Sequence, residues 1–173
     1  MSSPKRFTQV TVIGSSEADE RLVELAYEAG KALGVIAGTI ITGGRGGVME
    51  AVSRGAKESG ATTVGILPGD SLKEGNGFLD IVIPSGIGWA RNMTNVLAGD
   101  VVVSIGGASG TLNELSYAWM HGRPIVALVG GGGWSDRLAG QSLDGRRDDT
   151  IIQASDVQEL QKIVANILRD RKC

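Results

Sequence analysis

Several residue types that support particular chemistries are scarce in this chain of 173 residues. The single cysteine, Cys173, excludes an intrachain disulfide and a cysteine-rich metal site. The single histidine, His121, leaves no imidazole cluster for metal catalysis, and we expect it to complement the dipole at a helix end. The sequence therefore predicts neither a bound metal nor stabilisation by disulfides.

The chain also lacks long apolar runs and a basic charge excess. No stretch is long enough for a signal peptide or a membrane span, and the formal net charge is −2. A nucleic-acid-binding protein usually carries a clear basic surplus. We therefore expect a cytoplasmic protein with no nucleic-acid or membrane partner, folded as a single domain over residues 1–173.

Glycine is abundant, with 27 residues, and it clusters behind short apolar runs. These runs predict seven strands, at 10–13, 39–42, 62–67, 81–83, 101–104, 125–129 and 151–152. Amphipathic patterns between and after them predict helices at 22–33, 48–56, 89–98, 111–121, 136–139 and 156–169. This alternation predicts a Rossmann-like, doubly wound α/β fold, with a mostly parallel sheet of about seven strands and helices on both faces.

Three glycine-rich turns, at 14–16, 43–47 and 106–111, follow predicted strands and should meet at the carboxyl edge of the sheet. They are either simple strand-to-helix turns or a phosphate cradle, since glycine permits close backbone approach and helix N-termini attract anions. No P-loop motif is present, and the segment Gly106–Gly110 does not match the dinucleotide-binding fingerprint. The glycines therefore favour a phosphorylated ligand without identifying it.

Two charged residues fall beside the third turn. Glu114 lies three positions after Thr111, a spacing that is also that of a capping box at a helix start. Arg91 opens the preceding predicted helix and should face the same sheet edge. An arginine and a glutamate beside one phosphate site could hold a nucleotide and act on its ribose.

Three segments resemble the Lonely Guy family, once labelled "possible lysine decarboxylases": TGGRGGVME at 42–50, the segment around Arg91, and GGASGTLNE at 106–114. The resemblance implies a Rossmann-like fold and hydrolysis of the N-glycosidic bond of nucleoside 5′-monophosphates. GILP at 65–68 and GGWSDR at 132–137 are similar to a prokaryotic branch of uncharacterised proteins. That branch is similar to molybdenum-cofactor carrier proteins, which bind a pterin phosphate.

The resemblance also implies roles for individual residues. Arg91 and Glu114 would be catalytic, while phosphate contacts would come from Gly106, Gly107, Gly110 and Thr111. Other expected ligand contacts are Gly14, Ser15, Gly43, Gly44 and Arg45, with Met49 at the pocket wall. The family motif is PGGxGTxxE; here Ile105 replaces the proline, and the turn is one residue longer because Ala108 and Ser109 occupy a single position.

Two other polar groups of residues have alternative interpretations. Trp134 and Asp136 follow a four-glycine run at a strand end, so they either wall the pocket or fix the loop through an Asp136–Arg137 ion pair. Asp144, Asp148 and Asp149 either hold a divalent ion or, with two arginines between them, form a solvated loop.

Pyridoxal phosphate chemistry, which the old decarboxylase label implies, needs a lysine at the site. The lysines are Lys5, Lys31, Lys57, Lys73, Lys162 and Lys172, and none follows a strand beside a glycine turn. We therefore exclude a pyridoxal-dependent decarboxylase and expect no required cofactor.

The function predicted from the sequence is binding of a phosphorylated small molecule, an AMP-like nucleoside monophosphate, with hydrolysis to base and ribose 5-phosphate. The alternative is a non-catalytic carrier or sensor of a nucleotide or of the molybdenum cofactor. A third interpretation is an interaction module gated by a nucleotide. The family resemblance implies a homodimer or a higher homo-oligomer.

Overall fold

The predicted alternation of strands and helices is present in the structure, a computed structural model that describes residues 6–170. The strands are β1 (Gln9–Gly14), β2 (Thr39–Thr42), β3 (Thr62–Leu67), β4 (Ile81–Pro84), β5 (Val101–Ile105), β6 (Ile125–Leu128) and β7 (Ile152–Ala154). The helices are α1 (Glu20–Ile36), α2 (Val48–Glu58), α3 (Arg91–Ala98), α4 (Ser109–Met120), α5 (Gly133–Leu138) and α6 (Val157–Asp170). Cys173, Lys5 and Lys172 lie outside the described residues.

The seven strands form one sheet in the order β4-β3-β2-β1-β5-β6-β7, and every neighbouring pair is parallel. The predicted Rossmann-like architecture is therefore confirmed. The chain builds outward from β1 to β4, then crosses back to place β5 on the other side of β1. The carboxyl ends of β1 and β5 thus form the topological switch point, where the turns into the following helices diverge and leave a crevice.

Helices cover both faces of the sheet. One core joins α1, α2 and α6 to the sheet, with Leu33, Val52 and Leu160 fully buried. A second core joins α3, α4 and α5 to the opposite face, around Trp119 and Leu115. Because both faces are covered, the central strands do not alternate between buried and exposed residues, and every residue of β5 is buried.

The close packing of α1 against α2 depends on glycine. A Cβ on Gly55 of α2 would lie 2.2 Å from the carbonyl oxygen of Tyr27, and a Cβ on Gly30 of α1 would lie 2.3 Å from that of Val52. Two backbones that approach this closely leave no space for a side chain. The α1–α2 contact in turn sets the position of α2, whose first turn follows the glycine-rich segment 43–47.

Several predicted boundaries differ from the structure. The helix predicted at 89–98 is divided into a 3-10 turn, Gly88–Ala90, and α3. α4 begins at Ser109, two residues before the predicted Thr111, and His121 forms its C-cap. Strand β7 begins at Ile152, because the peptide of Ile151 bonds instead to Gly140 and Gln141 while its side chain packs in the second core.

None of the helices within residues 6–170 combines the length and the apolarity needed to cross a membrane.

The substitution Gly55→Ala tests the α1–α2 packing. Alanine favours a helix over glycine by about 1 kcal/mol, but its Cβ would overlap backbone atoms of α1 that cannot rotate away. We expect a net loss of about 2 kcal/mol in the free energy of unfolding, measured by urea denaturation. Gly77→Ala is the control, since a Cβ there has no neighbour within 4 Å; equal losses in both variants would contradict this account of the packing.

Candidate functional site

A cavity of about 220 Å³ lies at the carboxyl edge of the sheet, at the switch point. The backbone N–H of Gly107, after β5, donates to the Ser15 hydroxyl, after β1, at 3.0 Å, so the two diverging turns are tied together across this point. The cavity is lined by Gly14, Ser15, Ser16, Arg45, Met49, Pro68, Trp89, Arg91, Asn92, Ala108, Ser109, Gly110, Thr111 and Glu114. These residues come from the turns that follow the strands and from the helices α2, α3 and α4 that begin at this edge.

Arg91 and Glu114 face each other in this cavity. Arg91 is the first residue of α3 and Glu114 lies in the second turn of α4, and these two helices pack side by side. Arg91 Nη1 lies 3.7 Å from Glu114 Oε1, and both side chains are more than nine-tenths buried. Asn95, one helical turn after Arg91, donates from Nδ2 to the same carboxylate oxygen at 2.8 Å. The Arg91–Asn95 spacing on α3 therefore holds the carboxylate of Glu114 in one orientation.

Burial governs the electrostatics of this pair. It raises the pKa of the Glu114 carboxyl from the ordinary 4.5 to about 7, against the opposing effects of the Asn95 hydrogen bond and the Arg91 charge. Burial also lowers the pKa of the Arg91 guanidinium; Glu114 opposes this shift, and the charge of Arg45 adds to it. Glu114 is therefore close to the balance between its neutral and ionised forms at neutral pH, which suits a group that exchanges protons.

The N-terminus of α4 forms another wall of the cavity. Ala108 occupies the N-cap position and has no side-chain oxygen to accept from the first turn, whose N–H groups lack partners within the helix. The capping-box interpretation of Thr111 and Glu114 is wrong, because Thr111 already lies in the first turn and Glu114 bonds to Asn95. Within the GGASGT segment, Ala108 is the N-cap and Ser109 is the first residue of α4.

The glycine turn before α4 is held by the start of α5. Gly106 and Gly107 have φ values of +62° and +108°, a region that glycine alone adopts freely. The carbonyl oxygen of Gly106 accepts from Ser135 N at 2.9 Å and from Ser135 Oγ at 2.6 Å, and that of Gly107 accepts from Trp134 N at 3.1 Å. Both glycines thus shape the turn, while Gly110 and Thr111 line the cavity.

The residues after β2 also fall into two groups, those that line the cavity and those that shape the chain. Arg45 and Met49 line the cavity. Gly43 lies behind Arg91: a Cβ there would be 2.6 Å from Arg91 Nη1 and 2.7 Å from Met49 Sδ. Gly44 turns towards β3, and its carbonyl oxygen accepts from the N–H of Asn76 in the loop between β3 and β4. Gly43 therefore makes room for the guanidinium, whereas Gly44 shapes the chain.

Trp134 and Asp136 are not among the described residues that line this cavity. The guanidinium of Arg137 lies 5.0 Å from the ring of Trp134, and a carboxylate oxygen of Asp136 accepts from Gly130 N at 3.1 Å. Sequence reasoning missed Ser135 and Asn95. For Asn95, the position one helical turn after Arg91 was a usable signal. Sequence reasoning also missed cavity-lining residues, among them Pro68, Trp89, Asn92, Ala108 and Ser109.

The acidic loop after α5 is bound by arginines and a tryptophan. Asp144 accepts from Trp119 Nε1 at 2.9 Å and pairs with Arg146, and Asp149 pairs with Arg147. Within residues 6–170, no group of three or more His, Cys, Asp or Glu side chains is arranged to hold a metal ion.

Large apolar side chains are exposed near the α3–α4 side of the molecule, among them Ile87, Trp89, Met93 and Met120. Exposed apolar surface of this kind is common in proteins that self-associate. The homo-oligomer expected from the sequence stays a prediction.

The parallel seven-stranded sheet and the arginine–glutamate pair in its switch-point crevice define a Rossmann-like α/β protein with a buried charged pair in a cavity at the carboxyl edge. The chain belongs to the SLOG cluster4 family, whose model matches residues 7–161.

Three relatives connect this family with proteins of described activity. The molybdenum cofactor binding protein of Rippkaea orientalis superimposes with a TM-score of 0.83 at 30% identity, covering 95% of this chain and 99% of the other. The molybdenum cofactor carrier protein of Chlamydomonas reinhardtii gives 0.82 at 34% identity, with the same coverage. A cytokinin riboside 5′-monophosphate phosphoribohydrolase of Mycobacterium marinum is 28% identical over 134 residues, 72% of each chain. These matches confirm the resemblance to the Lonely Guy superfamily and its carrier-related branch.

The raised pKa of Glu114 predicts how stability changes with pH. Below about pH 4.5 the Glu114 carboxyl is protonated in both the folded and the unfolded chain. Between about pH 4.5 and about 7 it ionises in the unfolded chain but stays largely protonated in the folded chain. The wild type should therefore lose stability relative to Glu114→Gln as pH rises from about 4.5 to about 8, by on the order of 3 kcal/mol. Glutamine retains an oxygen that can accept from Asn95.

Urea denaturation of both proteins across this pH range measures the difference. Glu24→Gln, at an exposed position of α1, is the matched control and should follow the wild type at every pH. A difference between wild type and Glu114→Gln that does not change with pH would contradict the effect of burial.

Proposed function

We propose that this protein binds a phosphorylated small molecule with a heteroaromatic ring, a nucleoside 5′-monophosphate, in the switch-point cavity, and hydrolyses its N-glycosidic bond. The observation that carries the proposal is that two anion-binding groups converge on one cavity. The first turn of α4 presents N–H groups that no side chain caps. The guanidinium of Arg91, 5% exposed, lines the same cavity and has a buried Nε without a hydrogen-bond partner among the described residues.

These features support the binding of a phosphate. A buried guanidinium nitrogen without a partner is costly, and an anionic oxygen would satisfy it. The dipole of α4 favours negative charge at the same place, and Gly110 allows a phosphate to approach the backbone. A bound phosphate would also offset the positive charge of Arg91, whose pKa the nearby charge of Arg45 lowers.

The ring would extend beyond this cavity. A neighbouring cleft of about 440 Å³ shares Trp89, Asn92, Ser109 and Gly110 with the cavity and adds Tyr117. Trp89 is 76% exposed, so one face of its indole is available for stacking. A ligand with its phosphate at α4 and its base over Trp89 would place the ribose between them, beside Glu114.

In the hydrolysis, water adds to the anomeric carbon as the bond to the base nitrogen breaks, and the base leaves with the bonding electrons. Glu114, ionised in the reactive form, would accept a proton from the water and stabilise positive charge developing on the ribose. The departing base nitrogen gains a proton, which balances the reaction. Arg91 would hold the phosphate and keep the carboxylate of Glu114 oriented.

A carrier without catalysis is the second candidate. It is favoured by the molybdenum cofactor carrier of Chlamydomonas reinhardtii, which matches this chain over nearly its whole length, whereas the phosphoribohydrolase matches 72% of it. A carrier needs the phosphate cradle and the ring cleft but no reacting carboxylate. In that case Glu114 would serve to orient Arg91.

The test is incubation of the purified protein with AMP, GMP, CMP and UMP, followed by chromatography of free base and ribose 5-phosphate. We expect release by the wild type, and a loss of about 10²-fold or more in rate for Glu114→Gln, because the proton acceptor is removed. Arg91→Ala should lose both hydrolysis and binding. Lys162→Ala, which removes a cation from an exposed position on α6, should behave as the wild type.

Thermal shift and calorimetry with the same nucleotides distinguish the two candidates. A wild type that binds AMP but releases no base would exclude hydrolysis and leave the carrier. If no monophosphate binds, and Arg91→Ala changes nothing, the proposed phosphate site is wrong.

A further inference from the structure

A second guanidinium lines the cavity at a different wall from the first. Arg45 follows β2, whereas the N-terminus of α4 follows β5, and β1 lies between these strands. Adjacent strands are about 4.8 Å apart, so β2 and β5 lie roughly 10 Å from each other. A single phosphate at α4 therefore leaves Arg45 available at the opposite side of the cavity.

The backbone of Arg45 is held in place by the loop between β3 and β4. Asn76 donates from Nδ2 to the carbonyl oxygen of Arg45 at 3.0 Å and from its backbone N–H to Gly44 O at 2.9 Å. Gly44, with φ of +74°, permits this turn of the chain. The base of the arginine side chain is thus positioned before any ligand arrives.

The guanidinium itself has only a weak partner. Arg45 Nη2 pairs with Glu74 Oε2 at 2.9 Å, and the two side chains are 48% and 36% exposed. Ion pairs at this level of exposure contribute little to stability, so an anion inside the cavity can compete with Glu74 for the guanidinium. The positive charge of Arg45 also contributes to the lowered pKa of Arg91.

The charges of the cavity do not balance. The guanidinium groups of Arg91 and Arg45 line the cavity. The carboxylate among the lining residues is that of Glu114, which is more than nine-tenths buried and pairs with Arg91. A monophosphate at α4 offsets Arg91 but leaves Arg45 paired only at the rim. A ligand with two anionic groups would offset both cations and displace Glu74 at little cost.

We propose that Arg45 forms a second anion subsite, which takes a further phosphoryl or other anionic group of the phosphorylated ligand, with Glu74 occupying the guanidinium until that group displaces it. This inference rests on the proposed phosphate site at α4. It assigns Arg45 to recognition of charge instead of the base or ribose, and it narrows the ligand to a nucleoside 5′-phosphate that carries a second anionic group.

Calorimetry with AMP and ADP in the absence of divalent cations tests the subsite. We expect wild-type protein to bind ADP about 10-fold more tightly than AMP, the difference expected from one added charge-assisted contact. Arg45→Gln should reduce this preference to about 2-fold or less, because the contact with the second anionic group is lost. Glu74→Gln should increase ADP affinity, because the guanidinium then has no competing carboxylate.

Arg54→Gln is the matched control. Arg54 forms an ion pair of similar exposure with Glu58 and does not line the cavity among the described residues. Its removal should leave the ADP preference at the wild-type value. An ADP preference lost equally in Arg54→Gln would indicate a general surface-charge effect and overturn the subsite.

Two further outcomes separate this inference from the proposed function. If AMP binds and ADP binds no more tightly, or if the preference survives Arg45→Gln, the second subsite is wrong and the phosphate site at α4 stands. If neither nucleotide binds, both are wrong.

Discussion

The glycine turn between β5 and α4 is the constraint on which the site depends, because it is fixed from both sides. On one side the Gly107 N–H donates to the Ser15 hydroxyl after β1. On the other, the carbonyl oxygens of Gly106 and Gly107 accept from Ser135 and Trp134 at the start of α5. The positive φ angles of both glycines let these contacts form together. The turn thereby sets where α4 begins, and so where the carboxylate of Glu114 lies.

The arginine–glutamate pair is not explained by stability. Burying two charges costs more free energy than an exposed ion pair contributes. Well-packed apolar residues at the same positions often stabilise a fold as much or more. Here the burial is severe enough to raise the pKa of Glu114 to about 7. Asn95 and the cleared space beside Gly43 preserve the pair's geometry. Perturbed groups held in a cleft in this way are typical of functional sites, which is the physical basis for the proposal that Glu114 takes part in the chemistry.

The fold could be predicted from local patterns because the hydrophobic periodicity is strong. Short apolar runs such as 101–104 correspond to strands buried on both faces, and the stops at Gly43 and Gly60 fall beside real element ends. The start of α4 was harder to predict. Threonine is a good N-cap by its side chain, but the contacts of Gly106 and Gly107 with α5 let the helix begin at Ser109. Local propensity gave way to tertiary hydrogen bonds.

The sequence by itself determined the doubly wound architecture, the placement of glycine turns at strand ends, and the selection of Arg91 and Glu114, because these depend on residue type and local periodicity. Only the tertiary structure decided which residues meet. It brought Asn95 to Glu114, placed Arg45 against Glu74, and assigned Ser135 and Trp134 to the support of the turn while leaving Asp136 outside the cavity. The reason is physical: these contacts join elements far apart in the chain, and their geometry is set by helix packing and strand order, which no local pattern specifies.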